Sequence, residues 1–130
     1  DIDRATNLEG DSGPYLQYTH ARISSMIEKA KDLGIIPRYA KEVQEISNLE
    51  RVLYRLPEVV ENAMVEYAPN HIATYLIDIA REFNSYYGAH KIVDAENKEV
   101  SAHRLALAQA TQIVLKNGLK LLGIQAPEKM

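Results

Sequence analysis

At 130 residues the chain is the size of one domain with one core, and its 46% hydrophobic and 25% charged residues are ordinary for a soluble globular fold. No apolar run approaches the roughly 18–20 residues of a membrane span, and the opening D-I-D-R is unlike a signal peptide. The absence of cysteine excludes disulfides and thiolate metal sites, and a net charge of −3 argues against wrapping nucleic acid while leaving room for a small local contact.

All periodicity in the chain is helical, and no segment alternates as a strand does. Pro14 suits the first turn of a helix, with Ser12 or Gly13 as its cap. That helix carries Leu16, Ile23, Ile27 and Ala30 on one stripe and stops near Leu33-Gly34, where glycine can turn left-handed. Pro37 discourages continuation. A second helix is expected from about Ala40 to Leu56, with Val43, Ile46, Leu49, Leu53 and Leu56 inward. Pro57 opens a third, bearing Val59, Val60, Ala63, Met64 and Tyr67. Pro69-Asn70 opens the fourth, whose stripe of Ile72, Tyr75, Leu76, Ile79, Ala80, Phe83, Tyr86 and Tyr87 covers less than half the wheel. Residues 91–100 read as a loop. The fifth helix is expected from near Ser101 to about Leu122, apolar on several sides and therefore central. Asn117-Gly118 is a weak spot inside it, the glycine alone costing about 1 kcal/mol, and a place where the helix can bend. Residues 124–130 form a non-helical tail. The expectation is one all-α bundle of about five helices.

Catalytic patterns fare poorly. G-D-S-G at 10–13 matches the setting of a trypsin-like serine, but that chemistry needs a histidine base, an orienting aspartate and two backbone donors on a double β-barrel. Pro14 follows directly and offers no N–H, so Ser12 reads as a helix cap. The histidines at 20, 71, 90 and 103 lack metal-ligand spacing, and no glycine-rich phosphate cradle occurs. No residue is expected to be catalytic or to ligate a metal. The first helix is more suggestive. Tyr15, Tyr18, Arg22 and Met26 share a face about 60° wide beside the core stripe. Two tyrosines and an arginine in line can stack bases and pair a phosphate; the same face can equally pack on another helix or domain.

Several blocks together carry a resemblance: E-G-D-S-G-P-Y-L-Q-Y-T-H-A-R-I (9–23), L-P-E-V-V-E (56–61), A-P-N-H-I-A-T-Y-L (68–76), F-N-S-Y-Y (83–87), R-L-A-L-A-Q-A-T (104–111) and L-K-N-G-L-K-L-L-G-I-Q-A-P-E-K-M (115–130). In order and spacing they resemble the C-terminal anticodon-binding domain of arginyl-tRNA synthetases, the DALR-type helical bundle. The resemblance covers essentially the whole chain. It implies an anticodon-binding helical domain over 1–130, with a loop leading into the first helix at 1–13 and a C-terminal tail at 124–130. It also implies a fragment of a longer chain whose natural C-terminus is Met130.

By that resemblance the domain binds the anticodon stem-loop of tRNA(Arg), while a catalytic domain of the same chain, a class I ligase, attaches arginine. H-I-G-H-like and K-M-S-K-S-like signatures are absent here, so ATP and magnesium belong to that other domain and this one needs no cofactor. Tyr87 matches a tyrosine that stacks on an anticodon base, with Tyr86 as its near alternative. Met130, with Lys129 beside it, matches an apolar wall against the middle base, with its backbone and terminal carboxylate nearby. Tyr15, Tyr18 and Arg22 match a face linking anticodon contact to the active site. Arg22, Arg81, Lys91, Arg104, Lys116, Lys120 and Lys129 are candidates for the local positive charge. Neither DNA nor a membrane is an expected partner, and the default location is the cytoplasm. The competing expectation is a helical protein-docking module that never meets RNA.

Overall fold

The computed structural model describes residues 12–43, 45, 47–66 and 69–130, with 63–66 and 69 described by backbone alone. Over these residues the chain is all-α, built from α1 (Ser12–Asp32), α2 (Asn48–Tyr54), α3 (Leu56–Glu66), α4 (Pro69–Ala89) and α5 (Lys98–Leu121). Of the expected lead-in loop, 1–11 lies outside the described residues, and Ser12 and Gly13 are already helical. Tyr67 and Ile46 also fall outside them, as do the side chains of Ala63 and Met64.

α1 tolerates Pro14 because an N–H in the first turn would have no intrahelical acceptor. Its Leu16, Ile23 and Ala30 recur every seven residues and are fully buried. The helix ends on Gly34 at φ +77°, with Gly34 N–H donating to Lys31 O and Ile35 N–H to Ala30 O. α5 ends in the same way. Gly123 stands at φ +78°, Gly123 N–H donates to Lys120 O, and Ile124 N–H to Leu119 O. Both ends therefore satisfy their last carbonyls and drop an isoleucine back onto the core.

The three long helices α1, α4 and α5 pack on one another, α2 crosses α4 and α5, and α3 lies on α4 and α2. Leu76, Ile79 and Phe83 of α4 meet Leu105, Leu115 and Leu119 of α5 in the core. α5 continues through Gly118 without a break. A Cβ at Gly118 would lie 2.5 Å from Leu76 Cδ2, so the glycine lets α4 and α5 approach closely.

Two expected boundaries move. The second helix begins at Asn48, not Ala40, because the preceding backbone is drawn elsewhere. Ala40 N–H donates to Nδ1 of buried His103, Arg38 N–H to Ala102 O, and Ser47 caps the helix by accepting from Leu49 N–H. The fifth helix begins at Lys98, three residues before Ser101, because the Asn97 side chain accepts from Val100 N–H.

Candidate nucleic-acid interface

The face of α1 that carries Tyr15, Tyr18, Arg22 and Met26 is only partly covered by the bundle. Tyr18 is 60% exposed and Arg22 is exposed, while Tyr15 and Met26 are half-buried against the core. From α4, Tyr87 reaches this face at 43% exposure, and the Arg22 guanidinium carbon stands 5.1 Å from its ring centroid. That distance is within range of a cation–π contact.

Asn84, one helical turn before Tyr87, fixes the arrangement. Its Oδ1 accepts from Arg22 Nη1 at 2.8 Å. Its Nδ2 donates to Tyr15 Oη at 3.0 Å, to Thr19 Oγ1 at 3.1 Å and to Ala80 O at 2.9 Å. The acceptor bond to an arginine, which can only donate, sets which way the amide points. Tyr15 Oη then receives a hydrogen bond and keeps its own proton for another acceptor.

The tail completes the face. After Gly123 it runs back along α1, where Gln17 Nε2 donates to Gln125 O at 3.0 Å. His20, only 2% exposed, donates from Nδ1 to Pro127 O at 2.8 Å. Ile124 and Ala126 pack on the core beneath. These anchors deliver Lys129 and a 61% exposed Met130 to α1. A cavity of about 420 Å³ results, lined by Tyr18, Ala21, Arg22, Ser25, Lys129 and Met130. Two cations, an aromatic ring and a thioether line it, and no acidic side chain does.

A second assembly braces the C-terminal end of α4. Glu45 Oε1 accepts from Arg104 Nε at 2.9 Å and Nη2 at 2.6 Å, and Glu45 Oε2 accepts from Tyr86 Oη at 2.9 Å. Arg104 Nη1 donates to Lys91 O, and the His90 ring stacks on Tyr86 with centroids 4.3 Å apart. Burial pushes the Glu45 carboxyl up, but the hydrogen bonds from Arg104 and Tyr86 and the Arg104 charge outweigh it, holding it below its ordinary value. Burial, with the hydrogen bond to Glu45, raises the Tyr86 hydroxyl well above its usual range.

Residues 16–130 match the family described as the DALR anticodon binding domain. The chain belongs to that family. Arginine--tRNA ligase 1 of Bacillus cereus is 40% identical over 129 residues, covering 99% of this chain and 23% of the relative. Arginine--tRNA ligase of Pyrococcus furiosus is 40% identical over 134 residues, covering 95% of this chain and 21% of the relative. The solved arginyl-tRNA synthetase of Thermus thermophilus shares the fold with a TM-score of 0.72 and 36% identity, over 95% of this chain and 22% of that one. The chain thus spans less than a quarter of the length of each of these relatives. No helix among the described residues is long and apolar enough to cross a membrane.

Within this DALR domain the residues singled out in the sequence divide sharply. Tyr18, Arg22, Lys129 and Met130 line one cavity, Tyr87 abuts it through Arg22, and Tyr15 joins through Asn84. Tyr86 does not belong with them. It is 6% exposed, with one ring face against His90 and its hydroxyl on Glu45, so no face is open to a base. Consecutive helical residues differ by about 100°, and here that step separates core from surface. Arg104 is likewise spent on Glu45 and Lys91 O. Two residues escaped the sequence reading. Asn84 sits inside the quoted F-N-S-Y-Y block, but its role needs α1 beside it. Lys29 continues the Tyr15–Tyr18–Arg22–Met26 face by one more turn, and extending that spacing would have found it.

Proposed function

We propose that this face binds the anticodon loop of tRNA(Arg), and that it supports ATP-dependent arginylation by a catalytic domain of the same chain outside these 130 residues. The observation that carries the reading is convergence. Tyr18 and Arg22 of α1 and Lys129-Met130 of the tail meet around one cavity of about 420 Å³ that no acidic side chain lines, and Tyr87 of α4 stands against Arg22 beside it. Single-stranded loops are held by stacking splayed bases on aromatic rings and guanidinium planes, with cations on the phosphates. Tyr18, the Arg22 plane and the Met130 thioether offer such surfaces, and Arg22 with Lys129 offers the charge. ATP and magnesium act in the catalytic domain, and this domain works without a cofactor.

Stacking contributes about 1–3 kcal/mol per base, so two or three bases suffice for a weak contact in a chain of net charge −3. The isolated domain should therefore bind weakly and at low salt, and sub-micromolar affinity at physiological salt would contradict this. The deciding test is an NMR titration with two anticodon hairpins, one carrying an arginine anticodon with its middle cytosine and one with that base changed. The first should bind more tightly and shift the Met130 methyl and Tyr87 ring resonances. Equal binding would leave base discrimination to the rest of the chain, and no binding would make the face a docking surface for the catalytic domain instead.

A further inference from the structure

Arg22 and Tyr87 form a wall with a cavity on either side. Arg22 lines the Met130 cavity and Tyr87 does not; Tyr87 lines a separate cavity of about 410 Å³ and Arg22 does not. The second cavity is bounded by Met26 and Lys29 of α1, Tyr87 and Gly88 of α4, and Lys91 and Ile92 after it. Its position differs from that of the Met130 cavity, and its chemistry is alike, with two cations, an aromatic ring and a methionine. Lys29 and Lys91 are exposed, and neither has an acidic partner among the described residues. No carboxylate lines the space. Gly88 leaves its mouth open, since a Cβ there would meet nothing within 4 Å. The Glu45–Arg104–Lys91 brace holds the far side through Lys91 O, leaving the Lys91 ammonium unengaged.

Resting on the anticodon-loop reading and on the base stacking at Tyr87 that the family resemblance implies, we infer that this cavity is a second nucleotide subsite in which Lys29 and Lys91 take the phosphodiester of the nucleotide stacked on Tyr87. The RNA strand crosses the Arg22–Tyr87 wall, and neighbouring nucleotides are taken on opposite sides of it. With Arg22 over the Tyr87 ring, the base stacks on the side that opens into this cavity. A ring face beside two free cations suits a nucleotide better than an acidic peptide, which would leave the ring without a stacking partner.

Two variants test it with the arginine-anticodon hairpin. Lys29→Gln/Lys91→Gln should flatten the dependence of log affinity on log salt by about 0.7, the contribution of one phosphate on a single strand. Gly88→Leu fills the mouth from an exposed helical position and should weaken binding roughly 5- to 150-fold, the range of one lost base stack. In both, the Met130 methyl shift at saturation should match wild type, and the unfolding transition should show that the bundle is intact. An unchanged salt slope together with unchanged affinity in Gly88→Leu overturns the subsite while leaving the Met130 cavity in place. If the hairpin shifts neither Met130 nor Tyr87 in the wild-type domain, the anticodon-loop reading fails and the subsite with it. A hexaglutamate peptide that shifts Tyr87 as strongly as the hairpin would also overturn the nucleotide assignment.

Discussion

Asn84 offers the sharpest separation of stability from recognition. Asn84→Ala removes donors to Tyr15 Oη and Thr19 Oγ1 and an acceptor from Arg22. Two neutral hydrogen bonds contribute about 0.5–1.5 kcal/mol each. Arg22 is exposed and rehydrates, so its bond adds little to stability. Alanine, as the better helix former, returns about 0.5 kcal/mol. The expected loss is about 0.5–2.5 kcal/mol, measured by urea unfolding followed by circular dichroism. Binding suffers for another reason. A guanidinium no longer held over Tyr87 must be immobilised by the RNA, at about 0.5–1.5 kcal/mol, which corresponds to roughly two- to tenfold in affinity.

Asn84→Asp should reverse the order. Its carboxylate keeps the Arg22 bond, and the Tyr15 hydroxyl, whose proton is uncommitted, can rotate to donate to it. Stability should fall less than in the alanine variant. Yet the new charge neutralises Arg22 at the phosphate-facing surface, so hairpin affinity should fall further than with alanine. Wild type, Asp, Ala in stability and wild type, Ala, Asp in affinity are the two expected orders. A single order in both assays would refute the view that Asn84 acts by aiming Arg22.

Three further outcomes follow from the packing. Gly118→Ala should lower stability by up to about 2 kcal/mol, because overpacking Leu76 at 2.5 Å costs about 1–3 kcal/mol against a helix-propensity gain of about 1; Gly88→Ala, with open space around it, should instead raise stability slightly, and equal signs in thermal unfolding would contradict the geometry. Glu45→Gln should cost stability at neutral pH and progressively less in acid. Because the folded carboxyl is held below its ordinary value, its contribution is complete above about pH 5 and fades as pH falls through that depressed value; a wild-type-to-variant gap that stays constant down to about pH 2 would show that the Arg104 pairing is not ionic in effect. His20→Ala should loosen the tail by removing the donor to Pro127 O, weakening hairpin binding and quickening amide exchange after Gly123 while the α4–α5 core stays protected; unchanged exchange there would remove the tail anchor from the account.

Helical period was enough to find each of the five helices, since Leu16, Ile23 and Ala30 or Leu76, Ile79 and Phe83 could face one way only in a helix. The start of α2 was also written locally. Ser47-Asn48-Leu49-Glu50 has the S-x-x-E spacing of a capping box, but the apolar Val43 upstream suggested a longer helix. What overrode that pattern is tertiary: His103 takes the Ala40 N–H, and Arg104 with Tyr86 takes Glu45.

The interface was legible in its residue types and not in its partition. The period placed Tyr86 and Tyr87 on the same apolar stripe, and nothing local says that the neighbouring elements cover the first and leave the second bare. Asn84 is more instructive still. Each of its contacts outside its own helix is to α1, more than 60 residues away in sequence, so no spacing rule within α4 could expose it. The α1 face announces itself because helical spacing aligns it, whereas the groups that aim it come from α4 and the tail, where only the fold brings them together. For the same reason, a change at Asn84 or His20 should alter recognition without replacing any residue that meets the RNA.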